Sequence, residues 1–385
     1  MLSELVYKLQ RVVSKVQPLR ALDICPRDIE SKGDVLVSYV PLPLIGDAAN
    51  FRGHSNVWEC AEIVSIFNRL GYSVDLISWN DTVFKPCKEY TAVFDIHRNL
   101  MRYLGPETRA LFHMTGGNPL YSNQSELNRL EALKDRRGVM LTPRRVMDDD
   151  NIKLFFENAW RADVITLIGN EVTTTTYPKD IQSKICKINP TGAYIGFNGS
   201  LARKFSAGRE FLWFNGSGAI HKGLDLVLEV FAKHPEWTLH IVGPYLNEKD
   251  FSQLYKKELF YTPNICSHGF IYPSSRRFKS ILDRVCAFIN PACSEGVSTS
   301  AITCMQLGLI PIVSRQSGIS LIHGMGYVLS VSSKDEIELA VSDICKMSLN
   351  ELNDMSYAIQ RFALSMYSRD EFSRQMTAAI KGLLV

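Results

Sequence analysis

Residues 286–314, CAFINPACSEGVSTSAITCMQLGLIPIVS, leave the chain little choice of local structure. The runs 286–289 and 310–313 are apolar and of strand length, and between them a helix opens near Ser298 and closes at Gly308. Strand, loop, helix and strand in that order make a parallel unit. In such a unit the helix-start N–H groups face the crevice beyond the strand ends, where a phosphate is held at modest cost. Gly296 lets the backbone come close, and Ser298 or Thr299 can cap the helix or bond a phosphate oxygen. Glu295 is the only carboxylate between Asp283 and Asp335. It reads either as a solvated loop acid or as an acceptor for the hydroxyl groups of a ligand.

The rest of the chain repeats the same alternation. After a polar link, 34–39 reads as the first core strand. The helix that follows carries a capping-box pattern, Asn56 with Glu59 three residues on, and stops at Gly71. A second strand, 74–77, completes a β-α-β unit of a parallel sheet. The loop between the first strand and helix lacks G-x-G-x-x-G, which disfavours a nicotinamide-dependent oxidoreductase. Arg52, Gly53 and His54 lie in that loop, between a strand end and a helix start. They read either as ligand-facing or as plain connection.

Two later strands run into histidines, 92–96 into His97 and 110–112 into His113. At a strand's carboxyl end a histidine points into the crevice, whereas in mid-strand it is more often a packed core residue. Asp148-Asp149-Asp150 precedes a helical stretch, 152–160, and favours the helix dipole rather than a metal. Near 200–208 the composition turns small and basic, and a fresh series begins with a strand at 211–215 and the turn Gly216-Ser217-Gly218. Lys222 then stands before a helix at 223–231, as a surface lysine or as a mobile charge for a diphosphate.

At 385 residues two domains of roughly 150 to 200 residues are expected. Hydrophobic content of 46% with 22% charged residues is that of a soluble globular protein, and a net charge of +3 is too small for a dedicated nucleic-acid binder. Nine cysteines without a C-x-x-C pair suggest neither a disulfide framework nor a zinc site, which fits a reducing cytosol. No apolar run approaches the roughly 20 residues that span a bilayer. The first residues form a basic amphipathic pattern, Leu2, Leu5, Val6 and Leu9 opposite Lys8, Arg11 and Lys15, which packs on its own domain or lies on an anionic membrane surface.

The segment around Glu295-Gly296 resembles the donor-site signature of glycosyltransferase family 4, in which a second Glu follows eight positions after the first. Thr303 stands there in this chain. The run GSGAIHKG is similar to that family's glycine, arginine, four residues, lysine, glycine pattern. Lys222 and Gly223 match, and Ser217 replaces the arginine. FHMTGG resembles the strand-end histidine that contacts the donor sugar, which makes His113 the matching position.

This resemblance covers about residues 34 to 385 and implies a GT-B fold, two facing Rossmann-like domains with the site in the cleft. The expected division is an N-terminal helix and link at 1–32, an acceptor domain at 33–205, a donor domain at 206–365, and a helix at 366–385 crossing back.

The reaction implied is transfer from a nucleotide-diphosphate sugar to a glycan or lipid-linked acceptor, with retention, without cofactor or metal, in polysaccharide or glycolipid assembly at the cytoplasmic face. His113, Glu295 and Lys222 would carry it. The donor would lie on Gly216, Ser217, Lys222, Gly269, Phe270, Gly296, Val297, Ser298, Thr299 and Thr303, with a missing cation borrowed from Arg52 or Arg276. Acceptor contacts would come from loops 40–55 and 114–124. The competing reading is a degenerate fold that binds a glycan or partner without turnover.

Overall fold

The computed structural model describes residues 19–27, 29–41, 55–193, 205 and 209–384. The amphipathic N-terminal pattern, Arg52, Gly53 and His54, and most of the expected domain boundary lie outside them. Two sheets organise the chain. The first has seven strands: β1 (Arg20–Ile24), β2 (Asp34–Tyr39), β3 (Ser73–Ser78), β4 (Ala92–Asp95), β5 (Arg109–Met114), β6 (Val164–Leu167) and β7 (Ile185–Lys187), in the order β1-β3-β2-β4-β5-β6-β7. All neighbours are parallel except β1, which runs antiparallel along β3. The second has six: β8 (Glu210–Phe214), β9 (Thr238–Val242), β10 (Ile265–Gly269), β11 (Ala287–Asn290), β12 (Ile310–Ser314) and β13 (Tyr327–Leu329), all parallel, in the order β10-β9-β8-β11-β12-β13.

Fully buried runs such as Val35-Leu36-Val37 in β2 and Phe211-Leu212-Trp213 in β8 follow from a sheet covered on both faces. The second sheet is covered on one side by helix Leu224–Phe231 and on the other by helices Arg276–Leu282, Thr299–Gln306 and Leu349–Met366. The last helix, Arg369–Leu384, leaves the second domain and buries Phe372, Met376, Ile380 and Leu383 in the core of the first, where Phe372 meets Trp58 edge to face. Each such side chain contributes about 1.5–3 kcal/mol, so the chain's end is a structural part of its first domain.

Helix Ser55–Arg69 corrects one local expectation. It begins at Ser55, so Asn56 lies inside it, and Glu59 is engaged by a distant partner. Its carboxylate is buried and accepts from Thr191 N and Oγ1 at 2.8 and 3.1 Å, which ties the segment leaving the first domain to this helix. Burial pushes the Glu59 carboxyl up to about 7, against the two Thr191 bonds. A raised acid binds its proton in the folded state first, so this stability is complete below about pH 4.5 and is lost as pH rises through about 7. The loss is on the order of 3 kcal/mol. Glu59→Gln keeps an acceptor for Thr191 and removes the ionisation. We expect it to unfold at the wild-type temperature at pH 5 and several degrees above wild type at pH 8; equal midpoints at pH 8 would contradict this.

Candidate active site

In the second sheet the chain builds outward from β8 in both directions, through β9 and β10 on one side and β11 to β13 on the other. The crevice beyond the carboxyl ends of β8 and β11 is therefore its topological switch point, where open α/β sheets hold ligands. Asn215 and Asn290 follow or end these two strands and are both buried. A polar chain crosses between them: Asn290 Nδ2 donates to Ser298 Oγ (2.7 Å), Ser298 lies 3.1 Å from Ser300 Oγ, and Ser300 donates to Asn215 Oδ1 (3.2 Å). Among the described residues Asn215 Nδ2 and Asn290 Oδ1 have no partner. A donor and an acceptor left open at a buried crevice are what a polar ligand can complete.

The turn after β8 presents the charge. Gly216 and Ser217 are exposed, and a side-chain atom added at Gly216 would meet nothing within 4 Å, so there is open space above the turn. The chain then winds tightly, Lys222 N donating to Gly218 O at 2.8 Å and Trp213 Nε1 to Lys222 O at 3.2 Å. Glu248 accepts from the amides of Gly218 and Ala219 and fixes the start of that turn. Lys222 is thereby held inward, 7% exposed, and its Nζ forms an ion pair with Glu295 Oε1. Burial, together with the Arg145 guanidinium, presses the Lys222 ammonium down to about 7. The carboxylate it touches opposes this by favouring the charged form.

The first domain closes on this loop. Gly296 has the Ile168 carbonyl and Gly116 directly against it, Thr173 Oγ1 donates to Gly296 O (3.3 Å), and Gly117 lies against Ser294 and Glu295. His221 donates through Nε2 to Ser294 O (2.6 Å), and its Nδ1 is 3.4 Å from Glu126 of the first domain. The resulting cleft is lined by Gly117, Tyr121, Thr173, Thr176, Glu295 and Gln316, from both domains. A methyl group at position 296 would press on Ile168 O and lie 3.1 Å from Gly116 Cα. We expect Gly296→Ala to cost about 1–3 kcal/mol by overpacking, seen as a fall of a few degrees in thermal unfolding; an unchanged midpoint would mean the domains do not meet here.

Helix Pro119–Arg137 also joins the two domains. Its Leu130 and Leu133, with Leu141 beyond it, are buried in the second domain's core. Around them Arg129 donates to Pro291 O (2.6 Å), Arg136 pairs with Asp225 (2.5 Å), Arg137 with Glu229 and Glu258 (3.2 and 2.7 Å), and Arg144 with Asp250. Burial pushes Glu229 up, but Tyr255, Lys334 and the two arginines hold its carboxyl down at about 2.

Other expected site residues are placed differently from the sequence reading. β5 extends to Met114, so His113 lies inside the strand rather than at its end. It is fully buried between the rings of Tyr39 and Phe94, with Nδ1 2.8 Å from Thr166 Oγ1, and burial pushes it down to about 3. Its Nε2 has no partner among the described residues. The histidine just past a strand end is His97, half-buried and stacked on Trp79 at 5.4 Å.

Thr303 is buried, donating to Thr299 O (2.8 Å) and accepting from Ala193 N (2.9 Å), so it ties down the inter-domain segment. Ser298 is the helix cap, accepting from Ala301 N, and its own amide donates to Ser317 O. Thr299 beside it is exposed, and Val297 packs with Ile168 of the first domain. Gly269 ends β10 and Phe270 beside it is 54% exposed, while Arg276 opens its helix in solvent. Asp148 caps helix Asp149–Arg161 through Asn151 N, and no group of three His, Cys, Asp or Glu among the described residues could hold a metal. No helix among them is long and apolar enough to cross a membrane.

Comparison with known proteins agrees with this geometry. Residues 202–362, the second domain, match the family model of glycosyl transferases group 1. No curated protein matches the chain in sequence. In three dimensions it is similar to Alr3699/HepE of Anabaena in complex with UDP and glucose: 12% identity, 91% of this chain and 99% of that one, TM-score 0.59. It is similar as well to the sucrose-phosphate synthase of Thermosynechococcus elongatus, with 12% identity, 91% and 98% coverage and TM-score 0.62. A trehalose-6-phosphate synthase studied for glycosyltransfer with retention gives 10% identity, 91% and 98% coverage and TM-score 0.58. The fold is GT-B. The match to group 1 glycosyl transferases is carried by its second domain, residues 202–362.

Proposed function

We propose that this protein transfers a sugar from a nucleotide-diphosphate sugar to a hydroxyl of a glycan or lipid-linked acceptor, with retention at the anomeric carbon. The observation that carries the reading is the buried Lys222–Glu295 pair, made by two turns 73 residues apart that meet at the switch point of the second sheet. A diphosphate in the crevice takes Lys222 from Glu295, with the exposed Thr299 at the helix start beside it. The freed carboxylate accepts hydroxyl groups of the sugar and orients the ring. The bond from the anomeric carbon to the diphosphate oxygen breaks, the acceptor oxygen bonds that carbon, and the acceptor's proton leaves with the diphosphate. Negative charge grows on the leaving group, and a preorganised cation in a closed cleft is worth most there.

The base would lie near Gly269 and the exposed ring of Phe270. His113 would act by supporting the floor of the first domain, since its side chain is enclosed. Cell-surface polysaccharide or glycolipid assembly is the setting we assign, on family likeness. The commitment of Thr303 and of the Ser298 amide to the protein's own backbone favours a second reading, a binding module without turnover. Diphosphate release from UDP-, GDP-, ADP- and CDP-sugars separates the two. Slow release in water, faster with oligosaccharide or glycolipid acceptors, is expected. Diphosphate binding without release from any donor, acceptors included, would favour the module.

A further inference from the structure

The turn after β8 contributes a single cation, and Glu295 already holds it. A diphosphate carries at least two negative charges, so the crevice as built from the second domain alone is short of charge. The deficit is met from the other domain. Arg145 lies across the turn: a Cβ placed on Gly218 would be 2.9 Å from its Cγ and 3.3 Å from its Cδ. The segment that carries it is pinned on both sides. Glu126 accepts from the amides of Arg144 (2.7 Å) and Arg145 (2.9 Å), and Asn123 bonds both the amide and the carbonyl of Met147 (2.8 and 2.7 Å).

Arg129, Arg136, Arg137 and Arg144 are each bonded to a carbonyl or carboxylate of the second domain. The guanidinium of Arg145, by contrast, makes no hydrogen bond or ion pair with the described residues, and it is exposed beside the open space above Gly216 and Ser217. Its charge is felt at Lys222, whose ammonium it disfavours. An exposed guanidinium on a fixed backbone, near a second cation and without an ion-pair partner among the described residues, is placed to meet an incoming anion.

We propose that Arg145 is the second cation of the diphosphate site, reaching from the first domain over Gly218 to share the anion with Lys222. The inference rests on the donor-site reading above and adds that the ligand is bound by both domains at once. Arg145 meets the diphosphate before Lys222 has left Glu295, and binding then links the two halves of the cleft. A planar, permanently charged guanidinium suits this bridging contact better than a second lysine, since it can hold two oxygens together.

The test is calorimetric titration of the full chain with UDP, GDP, ADP and CDP and with the matching monophosphates. Wild type is compared with Arg145→Ala, Arg145→Lys, and Arg145→Ala combined with Ser217→Arg, which returns a cation to the same exposed turn. Arg145→Ala is expected to weaken the diphosphate about tenfold, with a smaller loss for the monophosphate, and the added Ser217→Arg to recover most of it. Wild-type affinity in Arg145→Ala, while Lys222→Ala loses binding, would overturn this inference and leave the site's reading intact. Equal loss of mono- and diphosphate with a lowered unfolding temperature would mark Arg145 as structural support and overturn it too. If wild type binds none of the four diphosphates, the reading of the site fails and the inference goes with it.

Discussion

Glu295→Gln should lower turnover by about two to three orders of magnitude while leaving nucleoside diphosphate affinity unchanged or tighter. Glu295 holds Lys222 in the ligand-free protein, so removing its charge frees the ammonium for the diphosphate at no cost to binding. The same change takes away the charged acceptor that orients the sugar at the reacting carbon. Loss of one such preorganised group costs about 3–4 kcal/mol of barrier in other enzymes, which is the stated range in rate. The measurement is steady-state turnover beside equilibrium binding of the diphosphate. Binding and turnover lost in parallel would mean that Glu295 contacts the nucleotide rather than the sugar.

Lys222→Ala should do the opposite, weakening the diphosphate about a hundredfold, as removal of a charge-assisted bond of roughly 2–3 kcal/mol requires. It also strands Glu295, whose side chain is only 11% exposed, so the variant should unfold at a lower temperature. Lys222→Ala with Glu295→Ala removes both charges and should recover much of that stability without recovering binding. A double variant that binds the diphosphate as wild type does would falsify the role given to Lys222. Recovery of stability without binding separates a ligand-binding lysine from one that merely balances a buried acid.

The parallel units of both domains were legible because period and burial agree in them: 74–77 was expected and Ser73–Ser78 is found, and the helix expected near Ser298 begins at Thr299 with Ser298 as cap. Strand β1 was not expected. RALDI is short, half-polar and an exposed edge, and only its pairing with β3 makes it a strand. The sequence alone places His113 one residue past its strand, but the strand's length is set by a partner: His113 pairs with Thr166 and Met114 with Leu167, 53 residues on. Glu59 has a good local capping pattern and loses it to Thr191, 132 residues away.

Lys222 and Glu295 were visible as positions, but their contact was not, and neither was the commitment of Thr303. Nothing local marks Arg145, which is one arginine among several until the fold lays it over Gly218. Asn215 and Asn290 do carry a sequence signal, a polar amide at the end of each strand flanking the switch point.

If the crevice beyond β8 and β11 holds a nucleoside diphosphate, thermal unfolding with UDP, GDP, ADP and CDP, without added metal, will show it. A ligand at a hundred times its dissociation constant adds about 2.7 kcal/mol, which at this size raises the midpoint by several degrees. At least one of the four should do so in wild type, and the shift should disappear in Lys222→Ala. No shift with any of them, or a shift that survives Lys222→Ala undiminished, would contradict it.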